Sequence, residues 1–167
     1  MNKKSKLIIA AIAVVMLIAV VILAVVVRGN NKAGPGLIIQ AGGKTVTVSW
    51  EDINQTFFTG EIVNGKGELS SHEYRGTELF ALFEAKGIEI REDTKITAGS
   101  EDNYTAELTG AEVMEEGKVY AAVVCDDEMI GNIDGGQGGQ LVVYGDPNAK
   151  RQVRYLKTIT VGDPAGK

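Results

Sequence analysis

An apolar run near the N-terminus divides the chain into two chemically different parts. Residues 7–27 carry no charged or polar side chain. A helix of this length, rising about 1.5 Å per residue, crosses the hydrocarbon core of a bilayer, which is roughly 30 Å thick. Lysines precede the run within residues 1–6, whereas Arg28 and Lys32 are the nearest basic residues after it. The positive-inside rule therefore predicts a cytoplasmic N-terminus.

The composition of the run also argues against a cleaved signal peptide. The apolar part of a signal peptide has about 7–15 residues and ends at a site of small residues, whereas this run ends in Val25-Val26-Val27-Arg28. We therefore predict an uncleaved signal-anchor and a single-pass plasma membrane protein whose C-terminal domain is extracytoplasmic. The predicted segments are a cytoplasmic N-terminus (1–6), a transmembrane helix (7–28), a flexible tether (29–36), one domain (37–162) and a tail (163–167).

The part of the chain after the anchor is acidic. All 22 acidic residues lie there, against 13 basic ones. This excess of negative charge argues against nucleic acid as a partner and against docking on anionic lipid by charge alone. Cys125 is the one cysteine and has no partner for a disulfide within the chain. The domain must therefore be held together by its apolar core.

Hydrophobic alternation predicts a domain built mostly from strands. Residues 37–40 and 44–50 flank Gly42-Gly43 and predict a hairpin, and residues 56–63 and 68–75 predict a second one around an Asn-Gly turn. Further apolar, β-branched segments predict strands, and the glycine-rich stretch 126–140 between two of them is expected to be a loop. These strands are predicted at 95–98, 104–108, 118–125, 141–144 and 151–161.

Two short helices, and a brief helical turn opened by a capping box at Ser49-Trp50-Glu51-Asp52, complete the predicted set of elements. Thr77 is the expected N-cap of the first helix, with Glu78 near its positive end, and Gly87 supplies a left-handed stop. The second helix follows Thr109, where Thr-Gly-Ala-Glu forms a capping box. The predicted fold class is α+β, mostly β.

Four segments of the domain, taken in order, resemble one known family. They are Glu73-Tyr74-Arg75-Gly76 with the helix that ends at Gly87, Ser100 to Leu108, Leu141 to Gly145, and Val153 to Val161. Together they resemble the molybdopterin-binding domain of sulfite-oxidase-like oxidoreductases over nearly the whole ectodomain. The resemblance implies that fold, preceded here by one transmembrane helix, and names molybdopterin as the cofactor of the family.

The resemblance also implies a metal-binding thiolate that this chain lacks. In the family the thiolate comes from the strand before the Glu-Tyr-x-Gly element, which is Glu61 to Gly65 here and contains no cysteine. We expect Cys125, on a different apolar strand, to be a small buried hydrophobe. The acidic residues Asp126, Asp127 and Glu128 beside it oppose a low thiol pKa. No catalytic residue and no metal ligand is predicted.

Basic residues near the C-terminus are the candidate contacts to a cofactor or another anion. By the resemblance, Arg154 stands where a basic residue contacts the cofactor phosphate, and Arg151 and Lys150 lie beside it. The alternative is that these charges lie on a solvated strand face. The family's phosphate-binding histidine and arginine are replaced by Gly135 and Gln140. The glycine loop between these two residues is expected to be flexible, with an anion cradle of N–H groups as the alternative.

His72 is the one histidine of the chain, and Glu73 beside it raises the possibility of a general acid or base. Adjacent residues of a strand point to opposite faces, so these two side chains are not expected to act together. We expect a surface histidine.

Three functions remain open from the sequence. The first is a membrane-tethered, extracytoplasmic binding or accessory module that lacks the metal-ligating cysteine and binds a small anionic ligand or a redox partner protein. The second is an active molybdopterin-dependent oxidoreductase. The third is a structural cell-surface domain without a ligand.

Overall fold

The structure is a computed structural model that describes residues 36–53, 55–63 and 66–162. The predicted anchor, nearly all of the tether and the tail lie outside the described residues, so those assignments stay predictions. Within the described ranges, no helix has the length and apolarity needed to cross a membrane.

The described residues form short strands and helices. In chain order these are β1 (Gly36–Ala41), β2 (Lys44–Ser49), α1 (Trp50–Ile53), β3 (Thr56–Val63), β4 (Leu69–Glu78), α2 (Leu79–Ala85), β5 (Lys95–Ser100), β6 (Thr105–Thr109), α3 (Gly110–Met114), β7 (Val119–Cys125), β8 (Glu128–Met129), β9 (Gln140–Val143), a 3-10 turn (Ala149–Arg151) and β10 (Leu156–Val161). The mostly-β, α+β class is confirmed.

The strands form two sheets. The first has the order β2-β1-β10-β5-β6, in which β1 and β10 are parallel and the other pairs are antiparallel. The second has the order β3-β4-β7-β8, and β9 pairs with β7 beside β8. Because β1 and β10 are neighbours, the two ends of the domain are joined in the centre of the first sheet.

The main apolar core includes residues of both sheets and all three helices. Fully buried members include Leu37 and Ile159 of the first sheet, Val119 and Leu141 of the second, and Phe83 of α2. A smaller cluster covers the opposite face of the second sheet, which we call the outer face. It consists of Tyr74, Ala122 and Val142, with partly buried Phe58, Ile62, Tyr120, Cys125 and Ile130 against them.

Both predicted hairpins are present. Gly42 and Gly43 join β1 to β2 with φ of +53° and +76°, backbone angles that glycine adopts without steric cost. In the second hairpin β3 pairs with β4 from Thr56–Gly76 to Val63–Leu69. The Asn-Gly pair of its turn lies outside the described residues.

The predicted start of the first helix is wrong. Thr77 belongs to β4 and its hydroxyl donates to the Ile53 carbonyl at 2.7 Å, while α2 begins at Leu79 without a side-chain cap. Strand pairing is the reason, because β4 continues along β7 as far as Glu78 opposite Tyr120. The stop is confirmed, since Gly87 has a φ of +65°.

The capping box at Thr109 is confirmed, with its hydroxyl and the Glu112 carboxylate each accepting the other residue's backbone N–H.

The last predicted strand, 151–161, is half wrong. Its first part contains the end of the 3-10 turn and Tyr155 at a φ of +52°, and the strand begins only at Leu156.

The glycine-rich loop contains a strand that the sequence did not predict. Asp126 and Asp127, both at positive φ, form a two-residue turn that folds β8 back onto β7. Aspartate tolerates this conformation better than most side chains.

A β-bulge in β7 interrupts the alternation of its side chains. Tyr74 and Arg75 of β4 pair with Cys125 and Val124, but Gly76 pairs with Ala122, so Val123 has no partner. Val123 and Val124 are therefore both buried in the main core, and Cys125 packs instead on the outer face.

Gly76→Ala tests the close strand contact at the bulge. A Cβ at Gly76 would lie 2.2 Å from the Ala121 carbonyl oxygen, so the strands must separate. We expect a loss of about 3 kcal/mol in the free energy of unfolding, measured by urea denaturation. Gly131→Ala is the control, because its Cβ would meet nothing nearer than 3.7 Å. Equal stability of the two variants would contradict the tight contact.

Candidate functional site

A cleft of about 430 Å³ opens where the turn after β7, the glycine-rich loop and the segment before β10 meet. This volume is typical of small-molecule sites. We call it the Arg154 cleft, and it is lined by Cys125, Asp126, Glu128, Met129, Ile130, Gly131, Asn132, Gln140, Arg154 and Tyr155.

Gln140 is a buried amide that lines this cleft. It pairs with Ala122 through the backbone, and the residue is only 7% exposed. Its side chain makes no hydrogen bond to any of the residues that the structure describes. A buried polar group without a partner costs about 1–3 kcal/mol. The amide is therefore free to bind a molecule in the cleft.

Arg154 contributes a positive charge to the same cleft. The residue is exposed, and its guanidinium forms no ion pair or hydrogen bond within the described ranges. The backbone around it is fixed, because the Val153 carbonyl accepts from Leu141 N–H and the Gly139 carbonyl from Leu156 N–H, both at 2.8 Å. The guanidinium of Arg154 and the amide of Gln140, neither of which has a partner among the described residues, thus line the same cleft.

Tyr155 follows Arg154 in a strained conformation. A φ of +52° is rare for a bulky side chain and costs about 1–3 kcal/mol. Asp126 and Asp127 also have positive φ. Three of the four such non-glycine residues in the described ranges therefore lie in or next to the Arg154 cleft, the fourth being Asn103.

The structure separates the three basic residues that the sequence grouped. Arg151 is held by two carboxylates: its Nε donates to Asp146 Oδ2 at 2.5 Å and Nη1 to Glu112 Oε1 at 2.7 Å. Lys150 is exposed in the 3-10 turn, and its carbonyl accepts from the Tyr104 hydroxyl. Of the three, Arg154 lines the cleft.

His72 is engaged in a contact that the sequence did not reveal. Its Nδ1 lies 2.6 Å from Asp126 Oδ2, and its Nε2 lies 3.1 Å from the Ser70 hydroxyl. Asp126 Oδ1 accepts from the Glu73 backbone N–H at 2.9 Å. The hydrogen bonds from His72 and Glu73 hold the pKa of Asp126 below its usual range. The sequence predicted a surface histidine, and the structure shows a partly exposed one whose contacts with Asp126 and Ser70 were not predicted.

Cys125 completes a cluster with these two residues, since ligand atoms of His72, Cys125 and Asp126 all lie within 4.8 Å of one another. Burial, reinforced by the charge of Asp126, raises the pKa of the Cys125 thiol, although a hydrogen bond with Tyr74 and the charge of Arg154 act in the other direction. The free thiol is therefore protonated at neutral pH and is a weak nucleophile. Burial also raises the pKa of Tyr74 well above its usual value.

The bulge explains why this cluster was missed. Strict alternation along β7 gives Cys125 the same face as Val123, which is the main core. The unpaired Val123 turns Cys125 to the outer face, where His72 and Tyr74 project from β4. Asp126 and His72 are 54 residues apart, so only the register of β4 on β7 brings them together.

The glycine loop does not form an anion cradle of backbone N–H groups. The N–H groups of Gly135, Gly136 and Gly138 donate to atoms of Asn132 and Ile130 within the loop. Close packing explains why two positions of this segment are glycine. A Cβ at Gly138 would lie 2.7 Å from a backbone oxygen, and one at Gly139 would lie 2.6 Å from the Trp50 ring.

The residues present do not fit a molybdenum ion held by a protein thiolate. Strand β3, which precedes the Glu-Tyr-x-Gly element, contains no cysteine. The thiol of Cys125 comes from β7, and its pKa is raised rather than lowered. The chain therefore offers no activated thiolate at the position that the resemblance requires.

Comparison with known proteins identifies a distant structural similarity. No protein-family model matches the chain, and no curated protein is similar to it in sequence. Among solved structures, the chain is similar to the sulfane dehydrogenase SoxCD from Paracoccus pantotrophus, with a TM-score of 0.58 and 17% sequence identity. The alignment covers 75% of this chain but 37% of that one. This similarity supports a distant molybdenum-oxidoreductase-like fold and concerns the fold alone.

The pH dependence of stability in a Glu112 variant tests the ion pair between Glu112 and Arg151. Partial burial alone would raise the pKa of Glu112, but hydrogen bonds from Thr109 and Arg151 outweigh it and lower the pKa. The carboxylate therefore stabilises the fold above the ordinary glutamate pKa of about 4.3, and this contribution is lost as the pH falls through the lower folded value. We expect Glu112→Gln to lose about 1 kcal/mol of unfolding free energy at pH 7 and less at acid pH.

The matched control for this prediction is Glu89→Gln, an exposed carboxylate away from Arg151. Chemical denaturation of both variants from pH 7 to pH 3 gives the comparison. A loss that stays constant over this range in Glu112→Gln would contradict the ionic origin of the stabilisation.

Proposed function

We propose that this protein is a membrane-tethered, extracytoplasmic binding module that holds a small organic anion in the Arg154 cleft and performs no molybdenum chemistry. The fold is that of a distant oxidoreductase-like domain, and the side chains in the cleft suit recognition rather than catalysis. The membrane location rests on the apolar run at residues 7–27 and on the positive charges before it.

The observation that carries the proposal is that Gln140 and Arg154 line the same cleft. A buried amide without a hydrogen bond and a guanidinium without a counterion line one cleft. A carboxylate, sulfate or phosphate group accepts hydrogen bonds from both, and an arginine contact to such a group is about twice as strong as a neutral hydrogen bond. Binding would thus satisfy both unpaired groups.

The remaining walls of the cleft favour a ligand that also has an apolar part. Met129, Ile130 and Tyr155 line the cleft beside the polar groups. The Met129 side chain is 68% exposed, so its apolar surface is accessible to a ligand. Small-molecule sites typically combine such apolar walls with a few polar groups that fix orientation. A small organic anion suits this lining better than an inorganic ion.

The two alternative functions fit the structure less well. A molybdopterin-dependent oxidoreductase needs a thiolate that β3 does not supply. A structural domain without a ligand leaves Gln140 buried and unpaired, a cost that an apolar residue of similar size would avoid.

Gln140→Leu separates a binding role from a structural one. Replacing an unpaired buried amide with an apolar side chain of similar volume removes its desolvation cost, so we expect the free protein to gain about 1 kcal/mol of stability. The same change should weaken binding of phenyl sulfate, our probe, by roughly tenfold, because the anion loses a hydrogen-bond donor. Thermal denaturation and isothermal titration calorimetry measure the two effects.

Arg154→Gln and Lys157→Gln form the matched pair for the same titration. Both remove one positive charge near the C-terminus, but Lys157, an exposed lysine of β10, does not line the cleft. We expect Arg154→Gln to weaken phenyl sulfate binding by about tenfold or more and Lys157→Gln to change it little. Phenol serves as the uncharged ligand control. Equal weakening in both variants, or a Gln140→Leu variant that is less stable than wild type, would contradict the proposed site.

The tether is tested in intact cells. We expect the full-length chain to stay in the membrane fraction after carbonate extraction and the domain to be cleaved by protease added outside the cell. Replacing Val15 and Leu17 by aspartate should release the protein from the membrane fraction, because charges at the centre of a spanning helix are costly. A soluble wild-type protein, or a domain protected from external protease, would contradict the topology.

A further inference from the structure

We propose that His72, Cys125 and Asp126 bind one zinc ion at the wall of the Arg154 cleft. The three side chains supply an imidazole nitrogen, a sulfur and a carboxylate oxygen, and these atoms lie within 4.8 Å of one another. Zinc bonds of about 2.0 Å to nitrogen and oxygen and 2.3 Å to sulfur place such donors about 3.3–3.6 Å apart. The donors must therefore move closer together by about 1 Å at most to hold the ion.

Outer hydrogen bonds already hold two of the three ligands in position. Asp126 Oδ1 accepts from the Glu73 N–H, which orients the carboxylate and leaves Oδ2 toward His72. His72 Nε2 contacts the Ser70 hydroxyl at 3.1 Å, which leaves Nδ1 as the ligand atom. Metal-binding histidines and carboxylates characteristically have such outer hydrogen-bond partners. The zinc ion replaces the direct contact between His72 and Asp126.

The backbone fixes the three ligands independently of the metal. Tyr74 pairs with Cys125, and the Asp126 N–H donates to the Glu73 carbonyl at 2.7 Å. Both aspartates of the turn have positive φ, a backbone conformation that few residues other than glycine adopt. His72 and Cys125 are only partly buried, and the Asp126 side chain is 55% exposed, so an ion can enter from solvent.

The donor set favours zinc over the common alternatives. Sulfur and imidazole nitrogen suit a borderline or soft metal, whereas calcium and magnesium prefer oxygen donors alone. Three protein ligands leave one position of a tetrahedral site open. Glu128, directly opposite Cys125 in the ladder, also lines the cleft and is available for that position, as is a water molecule.

Binding has a defined proton balance. The Cys125 thiol loses its proton to the buffer as sulfur bonds to the metal, and no electron is transferred. The inference does not depend on the anion proposed above, because none of the three ligands is Arg154 or Gln140.

The test uses the full-length protein, reduced and in mild detergent, titrated with cobalt(II) as a spectroscopic substitute and then with zinc. We expect one equivalent of cobalt to give a thiolate-to-metal charge-transfer band and zinc to remove it. Cys125→Ala should abolish the band. The matched pair is Asp126→Asn and Asp127→Asn, since both residues have positive φ in the same turn.

We expect Asp126→Asn to weaken zinc binding by at least about tenfold and Asp127→Asn by less than about twofold. Absence of the charge-transfer band in wild-type protein would overturn the inference, and so would equal affinities of the two variants. Arg154→Gln should keep its zinc affinity, so failure of the metal site and failure of the anion site are distinguishable. Loss of zinc binding in Arg154→Gln would also overturn the inference.

Discussion

The contact between Gly76 of β4 and the backbone of Ala121 and Ala122 determines what the second sheet presents on its outer face. Because Gly76 has no side chain, β4 approaches β7 closely enough for Val123 to remain unpaired. The resulting bulge directs two consecutive valines into the core and turns the end of β7 outward. The position of Cys125 and the start of the Asp126-Asp127 turn follow from this one irregularity.

The Arg154 cleft combines costs that folding alone does not explain. It is lined by the buried amide of Gln140 and by Arg154, neither of which has a partner among the described residues. Three backbone positions with positive φ also lie in or beside it. The buried amide and the positive-φ backbone positions raise the free energy of the folded state, which the apolar core must offset, whereas the exposed arginine is solvated. Such a concentration of unfavourable terms is expected where binding, rather than stability, determines the residues.

Local patterns in the sequence predicted most of the elements correctly. The Gly42-Gly43 hairpin, the Thr109 capping box and the Gly87 stop each depend on residues within a few positions of one another, and all three are confirmed. Thr77 was misassigned because its tertiary partner, the Ile53 carbonyl, is invisible to a local cap rule. Tyr155 lies in the part of the predicted strand at 151–161 that is not a strand, because its φ of +52° is not extended and no local pattern in the sequence indicates it.

The site was less predictable than the fold. Arg154 was identified from a resemblance, and Arg151 and Lys150 were grouped with it because they are close in sequence, yet Arg151 is held by Asp146 and Glu112. The cluster of His72 with Cys125 and Asp126 depends on strand register and on a bulge, neither of which leaves a local signal. By the resemblance, Gln140 replaces an arginine of the family. Only the structure shows that it is buried and that its amide has no partner among the described residues.

The most direct measurement is the nuclear magnetic resonance signal of the Gln140 side-chain amide in the full-length protein, followed while phenyl sulfate is added. If the cleft binds the anion through this amide, its proton resonances shift in wild-type protein and stay in place in Arg154→Gln. Resonances of Gln140 that do not move at saturating phenyl sulfate, while the protein binds the anion elsewhere, would contradict the account.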